Sequence, residues 1–332
     1  MKENKRASRR RKQDRAVVIA RSVGWLWAFT RAAFLLGMAF VVLYPLLYML
    51  SMALRPVAQL HDPSVVWFPK SITWENILDA MDKMGLARPL FDNNALTNSV
   101  MLDVVSATLQ MLVTAMVGYG FARFQFKGKA LMFGIVILSI IVPVNSIIIP
   151  TYLNYRFFDF FGITSIIGRL TTGSPIYLSL VDNMSSFYLP AALGCGIRSG
   201  LCIFLFRQFF KGMPRELEDA AAIDCCGAFG TFFRIFLPNA QPPLLTSFVL
   251  SLVWYWSDYY YSSMFFPSFR TVSIGLSQLR RTLMTDVATR DPYRELVVMQ
   301  AGALITIIPL LIFYLFIQRR FVESVERSGI VG

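Results

Sequence analysis

The sequence predicts an all-α integral membrane protein with six transmembrane helices. Three observations predict it. Hydrophobic residues make up 55% of the 332 residues and charged ones only 16%, a balance far from that of a soluble domain. The apolar residues gather into runs of about 20, the length a helix needs to cross a hydrocarbon core. Lys and Arg crowd the loops on the side that holds both termini, the pattern of a cytoplasmic face. The net charge of +12 is spread over a tail and short loops, so it points to membrane lipid and not to nucleic acid. Cys195, Cys202, Cys225 and Cys226 offer neither a disulfide framework nor zinc spacing, and no metal site is expected. The lone histidine, His61, sits in a polar loop and is read as solvated.

Residues 1–30 are read as a basic cytoplasmic tail followed by an interfacial helix. The run MKENKRASRRRKQDR has few apolar residues and is expected to be irregular, beside anionic lipid. Trp25 and Trp27 suit headgroup depth. Residues 31–332 are read as one transmembrane domain. Its first span covers about 32–54 and contains Pro45, which membrane helices tolerate. A Pro-containing polar loop runs to about 94. The second span covers about 96–124 and carries Asp103 near its start. An acid in a membrane helix is a functional candidate, although this depth also lets it reach water. The third span covers about 130–149. Residues 168–186, around Thr171-Thr172-Gly173-Ser174-Pro175, read as an external insertion with no assigned role.

The fourth span covers about 187–210 and holds Arg198. Either Arg198 lies mid-span, pairing or lining water, or the helix starts after Gly196 and the side chain reaches the outer interface. The fifth span, about 240–261, ends in an aromatic run with Trp254, Trp256, Asp258 and Tyr259. Rings beside a carboxylate suit a sugar, by stacking and hydroxyl hydrogen bonds; the same run also suits an interfacial aromatic belt. The sixth span covers about 296–317.

Between spans four and five lies Pro214 to Pro238, a pattern of two short helices. Pro214 suits a first helical position, and Glu216, Glu218 and Asp219 complement the positive end of the dipole. Leu217, Ala220 and Ala221 share a small apolar face. Gly227 is the expected turn residue. Phe229, Phe232, Phe233 and Phe236 follow at the spacing of one helical stripe.

This stretch resembles the EAA loop of permeases of ATP-binding-cassette importers, which runs E-A-A, two residues, D-G-A, eight residues, I, one residue, L-P. Here Asp219-Ala220-Ala221, Asp224-Cys225-Cys226, Ile235 and Leu237-Pro238 keep every spacing. Asp219, Cys225 and Cys226 replace the usual Glu, Gly and Ala. With Cys225 in place of Gly, Gly227 is expected to take over the turn. Further similarity lies in Tyr119-Gly120-Phe121-Ala122-Arg123, in Phe126-Lys127-Gly128 and in Phe206-Arg207-Gln208-Phe209-Phe210. The whole-chain pattern is similar to the smaller maltose-permease subunit.

The resemblance implies a type I importer permease fold in a bacterial plasma membrane, with both termini cytoplasmic. It implies that loop 212–238 is a coupling helix docked on an ATPase, through Glu216, Leu217, Glu218, Asp219, Ala220, Ala221, Asp224, Cys225, Gly227 and Pro238. It implies a second permease subunit, two ATPase subunits that hold ATP and Mg, and an external solute-binding protein. This chain would form half the pore of a sugar importer, without catalysis of its own. Its one Gly-Lys pair, Gly128-Lys129, is followed by Ala130 and has Arg123 where a phosphate-binding loop needs Gly. Asp103, Arg198, Trp254, Trp256, Asp258 and Tyr259 are the candidate substrate path. Other readings are a permease for a non-sugar solute, a homo-oligomeric channel, and a membrane enzyme.

Overall fold

The computed structural model describes residues 2–64, 67–159, 162–285 and 291–329, with side chains from 24 to 319 apart from 144 and 145. Every regular element among them is helical. Helix α1 (Lys2–Ala53) is continuous, so no break separates the basic run from the first span. The expected irregular tail is instead helical, as its Ala, Arg and Lys content permits. None of the residues 24–45 is buried by the rest of the chain. The end of α1 packs into the core through Met49, Met52 and Ala53, and Phe40 and Tyr44 meet the Trp67 ring.

Asn76 fixes that end. It sits in α2 (Glu75–Lys83) and donates to the Ala53 and Arg55 carbonyls at 3.0 and 2.8 Å, which have no partner within α1.

Helix α3 (Ala95–Arg123) is the axis of the molecule. Asn94 caps it by accepting from the Leu96 and Thr97 amides at 2.9 and 3.3 Å. Its buried face carries Ser99, Asp103, Ser106, Gln110 and Thr114 at helical spacing, an inward polar stripe of the sort that joins helices in membranes.

The third span is broken. Helix α4 (Lys129–Ile141) ends before Pro143, and α5 (Val144–Arg156) leaves at a sharp bend of 109°. Proline removes an amide donor and disfavours helical backbone in the residue before it. Helix α6 (Ile163–Thr172) leads into the expected insertion, which is tied back by Asp182 accepting from the Ser268 and Phe269 amides.

The segments expected as the fourth and fifth spans are each divided into two helices. Helix α7 (Ser185–Ala192) stops at a left-handed Gly194, and α8 (Ser199–Gly212) starts after a left-handed Arg198. Helix α12 (Gln241–Trp256) stops before Asp258, whose carboxylate accepts from the Tyr261 and Ser262 amides at the start of α13 (Tyr260–Phe265). Between α8 and α12 lie α9 (Glu216–Ile223), α10 (Ala228–Thr231), a π-helical turn (Phe232–Phe236) and α11 (Leu237–Asn239). Helices α14 (Val272–Thr285) and α15 (Pro292–Gly329) complete the chain. Among the described residues three single helices are long and apolar enough to cross a membrane, and the bent α4–α5 pair passes the same length and composition measure when taken as one span.

Three packed clusters lie along α3. At one end, α1, α2, α14 and α15 meet around Met84, Leu279 and Val298. In the middle, Leu102 and Ala107 meet Phe187, Tyr255 and Phe265. At the other end, Ala115 and Tyr119 meet Phe206, Phe210, Phe232 and Phe236. There α3 and α8 cross so closely that a Cβ on Gly118 would stand 2.5 Å from Phe206 Cβ.

Candidate functional site

The loop resembling the EAA motif stands on the last of these clusters. Leu217 and Ala221 face inward, Ala221 fully buried. Ala220 does not share that face; it is exposed with Glu216, Asp219 and Asp224. Pro214 lies just ahead of Arg215, the capping residue, whose carbonyl accepts from the Glu218 and Asp219 amides.

The turn differs from expectation. Cys225 itself is left-handed at φ 54, whereas Gly227 is extended at φ −68 and precedes α10. The position where the motif has glycine is thus left-handed here on a residue with a Cβ, a conformation that is uncommon outside Gly, Asn and Asp.

The phenylalanine stripe also divides. Phe232 and Phe236 are buried, while Phe229 is 71% and Phe233 49% exposed. The π turn adds a residue to one turn of helix and re-aims the side chains after it. Phe232 and Phe236 close on Tyr119 with ring centroids 5.2 and 5.0 Å apart.

Arg123, the last residue of α3, holds the loop at three points. Its Nη2 donates to the Met213 carbonyl at 2.6 Å. Its Nε stands 3.3 Å from Glu218 Oε1. Its guanidinium lies over Phe236, 4.9 Å from the ring centroid. So α9 and the π turn are fixed to the end of α3 by one cation that is almost wholly buried. What remains outward is a short apolar pair, Ile223 at 82% exposure and Phe229, either side of the Cys225 turn.

The second feature is a cavity of about 630 Å³ where the breaks in the third and fourth spans meet. The 194–201 segment, α4, α5 and Tyr255 and Tyr261 line it. Gln110 fastens the broken segment: its Nε2 donates to the Ile197 carbonyl and to Ser251 Oγ, each at 3.0 Å. Its Oε1 accepts from Tyr255 Oη at 2.6 Å, and Tyr255 Oη accepts from the Ile197 amide at 3.3 Å. Gly196 lies against these atoms, and a Cβ there would overlap both Gln110 Oε1 and Tyr255 Oη.

The candidate path residues separate. Arg198 lines the cavity, exposed, with its guanidinium 5.3 Å from the Trp254 ring centre. This matches the reading in which the helix begins beyond Gly196. Trp256 is in the packed cluster of α1, α2, α14 and α15, where its indole N–H donates to the Thr306 carbonyl at 3.0 Å. Asp258 caps α13, and Tyr259 is exposed beside Tyr260. Asp103 is buried on α3, with one carboxylate oxygen lacking a hydrogen-bond partner among the described residues. Gln110, Tyr155, Tyr255 and Tyr261 were not among the candidates. Their roles come from contacts far apart in sequence.

Broken apolar helices around an internal cavity, with a separately braced polar loop at one end, define a transport subunit of the membrane. The chain belongs to the family described as binding-protein-dependent transport system inner membrane component, which matches residues 110–327. It is 29% identical over 299 residues to the arabinooligosaccharides transport system permease protein AraQ of Halalkalibacterium halodurans, covering 89% of this chain and 93% of that one. It is 25% identical over 292 residues to the sulfoquinovosyl glycerol transport system permease protein SmoH of Agrobacterium fabrum, covering 87% and 89%. A solved bacterial ABC transporter involved in import of the acidic polysaccharide alginate shares the fold, with a TM-score of 0.66, 20% identity and coverage of 89% and 96%.

Proposed function

We propose that this chain is one membrane-spanning half of an ATP-driven importer of saccharides. The observation that carries the reading is the loop 212–238. Its inward face is pinned by Arg123, and its outward face offers Ile223 and Phe229 beside Cys225. An exposed apolar pair on a rigidly held polar helix suits a docking knob for a groove on an ATPase subunit. Glu216, Asp219, Ala220 and Asp224 surround the knob, while Leu217, Glu218, Ala221 and Pro238 set its angle. ATP and Mg belong to two such partner subunits.

The relatives named for arabinooligosaccharides and sulfoquinovosyl glycerol support a glycoside or oligosaccharide as cargo. It would be delivered by an external solute-binding protein. Six crossings follow if the helix pairs α4–α5, α7–α8 and α12–α13 each make one beside α1, α3 and α15. Both termini are then cytoplasmic, with the basic segment 1–30 on anionic lipid and residues 168–186 outside. A second, different permease supplies the other half of the pore. The substrate path includes Arg198 and Trp254, with Tyr259, Asp258 and Asp103 toward the outer side.

The test is a gentle detergent pull-down of the tagged chain from its native operon, with mass spectrometry of the bound proteins, in wild type and Ile223→Asp. Recovery of an ATPase and a second permease with wild type supports the reading. The variant should retain the permease and lose most of the ATPase. Recovery of the chain only with itself would overturn the assignment in favour of a channel.

A further inference from the structure

We propose that the cargo accepted by the cavity is an anionic saccharide, one bearing a carboxylate or a sulfonate, and that Arg198 reads its charge. The inference rests on the importer reading and names the substrate class of that same cavity.

Arg198 is the one charged residue lining the cavity among the described residues. A guanidinium drawn away from bulk water is costly unless it is paired or faces solvent, and Arg198 is exposed on the cavity wall. No described carboxylate pairs with it; its recorded neighbour is the Trp254 ring, which attracts the cation through its face and leaves the N–H fork free. Its backbone is left-handed at φ 54, a strained setting for a residue with a side chain. A residue held against its own preference beside a cavity points to function more than to packing.

The surroundings carry the same sign. The first turn of α8, Ser199 to Leu201, lines the cavity, so the positive end of a 14-residue helix faces it. No Asp or Glu lines it. A site for a neutral sugar ordinarily needs acceptors for hydroxyl protons, and carboxylates are the strongest of these. Here the side chains that suit sugar are neutral hydroxyls, which both donate and accept, and ring faces, with Arg198 the single formal charge. Tyr155 and Tyr261 carry phenol hydroxyls with no protein partner among the described residues, and both stand by the Phe265 ring. Aromatic faces for the ring carbons, hydroxyls for the ring oxygens and one bidentate cation for an acid group together match an acidic sugar.

The experiment uses the complete importer, with its second permease, ATPases and binding protein, in sealed vesicles supplied with ATP. Uptake is measured for a uronic-acid disaccharide, a sulfonated glycoside and a neutral trisaccharide, with wild type, Arg198→Gln and Arg198→Lys. At least one acidic saccharide should be imported, and the uptake difference between the two acids identifies the acid group. Arg198→Gln should lower acidic uptake by about tenfold or more, the size expected on losing a charge-assisted hydrogen bond. Arg198→Lys should retain an intermediate rate. Co-purification of the second permease and the ATPases with both variants, in wild-type proportion, shows that the complex is assembled. Import of the neutral trisaccharide alone, or acidic uptake that is unchanged in Arg198→Gln, overturns the inference and leaves the importer reading standing. Failure to import any saccharide overturns both.

Discussion

The two halves of α3 are packed in opposite ways. From Ala115 to Arg123 its neighbours are aromatic: Phe206, Phe210, Phe232 and Phe236 close around Tyr119, and one arginine seals the edge. From Ser99 to Thr114 its buried face is polar, and its neighbours are two helix breaks and a cavity. Interlocked rings resist small displacements because a tightly packed core has few alternative arrangements. Hydrogen bonds from one glutamine to a broken segment can be exchanged for others at small cost. The molecule is therefore stiff where force would enter and adjustable where a solute would pass.

Three substitutions would break or sharpen this contrast. Arg123→Ala should have the largest effect, about 2–3 kcal/mol of stability, because it strands the half-buried Glu218 and frees the Met213 carbonyl at once. Thermal unfolding of the purified complex reads it, and ATPase recovery should fall with it. An unchanged unfolding temperature would mean the aromatic cluster alone holds the loop. Gln110→Leu should cost about 1–2 kcal/mol, since hydrogen bonds between membrane helices are individually modest. Its clearer signature should be faster alkylation of Cys195 in the 194–201 segment, with ATPase docking unaltered. Cys225→Gly should act in the other direction, stabilising by about 1 kcal/mol through relief of the left-handed strain. A loss of stability there would show that the thiol makes a compensating contact.

Hydropathy made the long helices legible, and the spacing from Asp219 to Pro238 located the braced loop before any coordinates. What it did not reveal has identifiable causes. Pro143 and Gly194 were visible, but an apolar window runs through a break without registering it. The phenylalanine spacing assumes 3.6 residues per turn, and the π turn departs from that period within the motif itself. Trp256 looked like a ligand platform because it stands in an aromatic run beside Asp258, but its indole N–H is taken by the Thr306 carbonyl, 50 residues away. Gln110 and Tyr255 were passed over for the same reason: nothing local marks a pairing across 145 residues. Arg198 stood out in the sequence as a charge in an apolar run, and the structure sets it on the cavity wall at the start of α8.

The close crossing at Gly118 makes α3 a lever. Backbone meets side-chain base there with no atoms to spare, so α8 offers α3 a pivot and not a sliding surface. Gln110 lies eight residues to one side of that fulcrum and Arg123 five to the other, which at the rise of an α-helix gives arms of about 12 and 7.5 Å. Any tilt of α3 about Gly118 therefore carries Gln110 roughly 1.6 times as far as Arg123, and in the opposite direction. In a rigid tilt about that crossing, a displacement at the braced loop would correspond to a larger, reversed one at the residue that fastens the cavity wall.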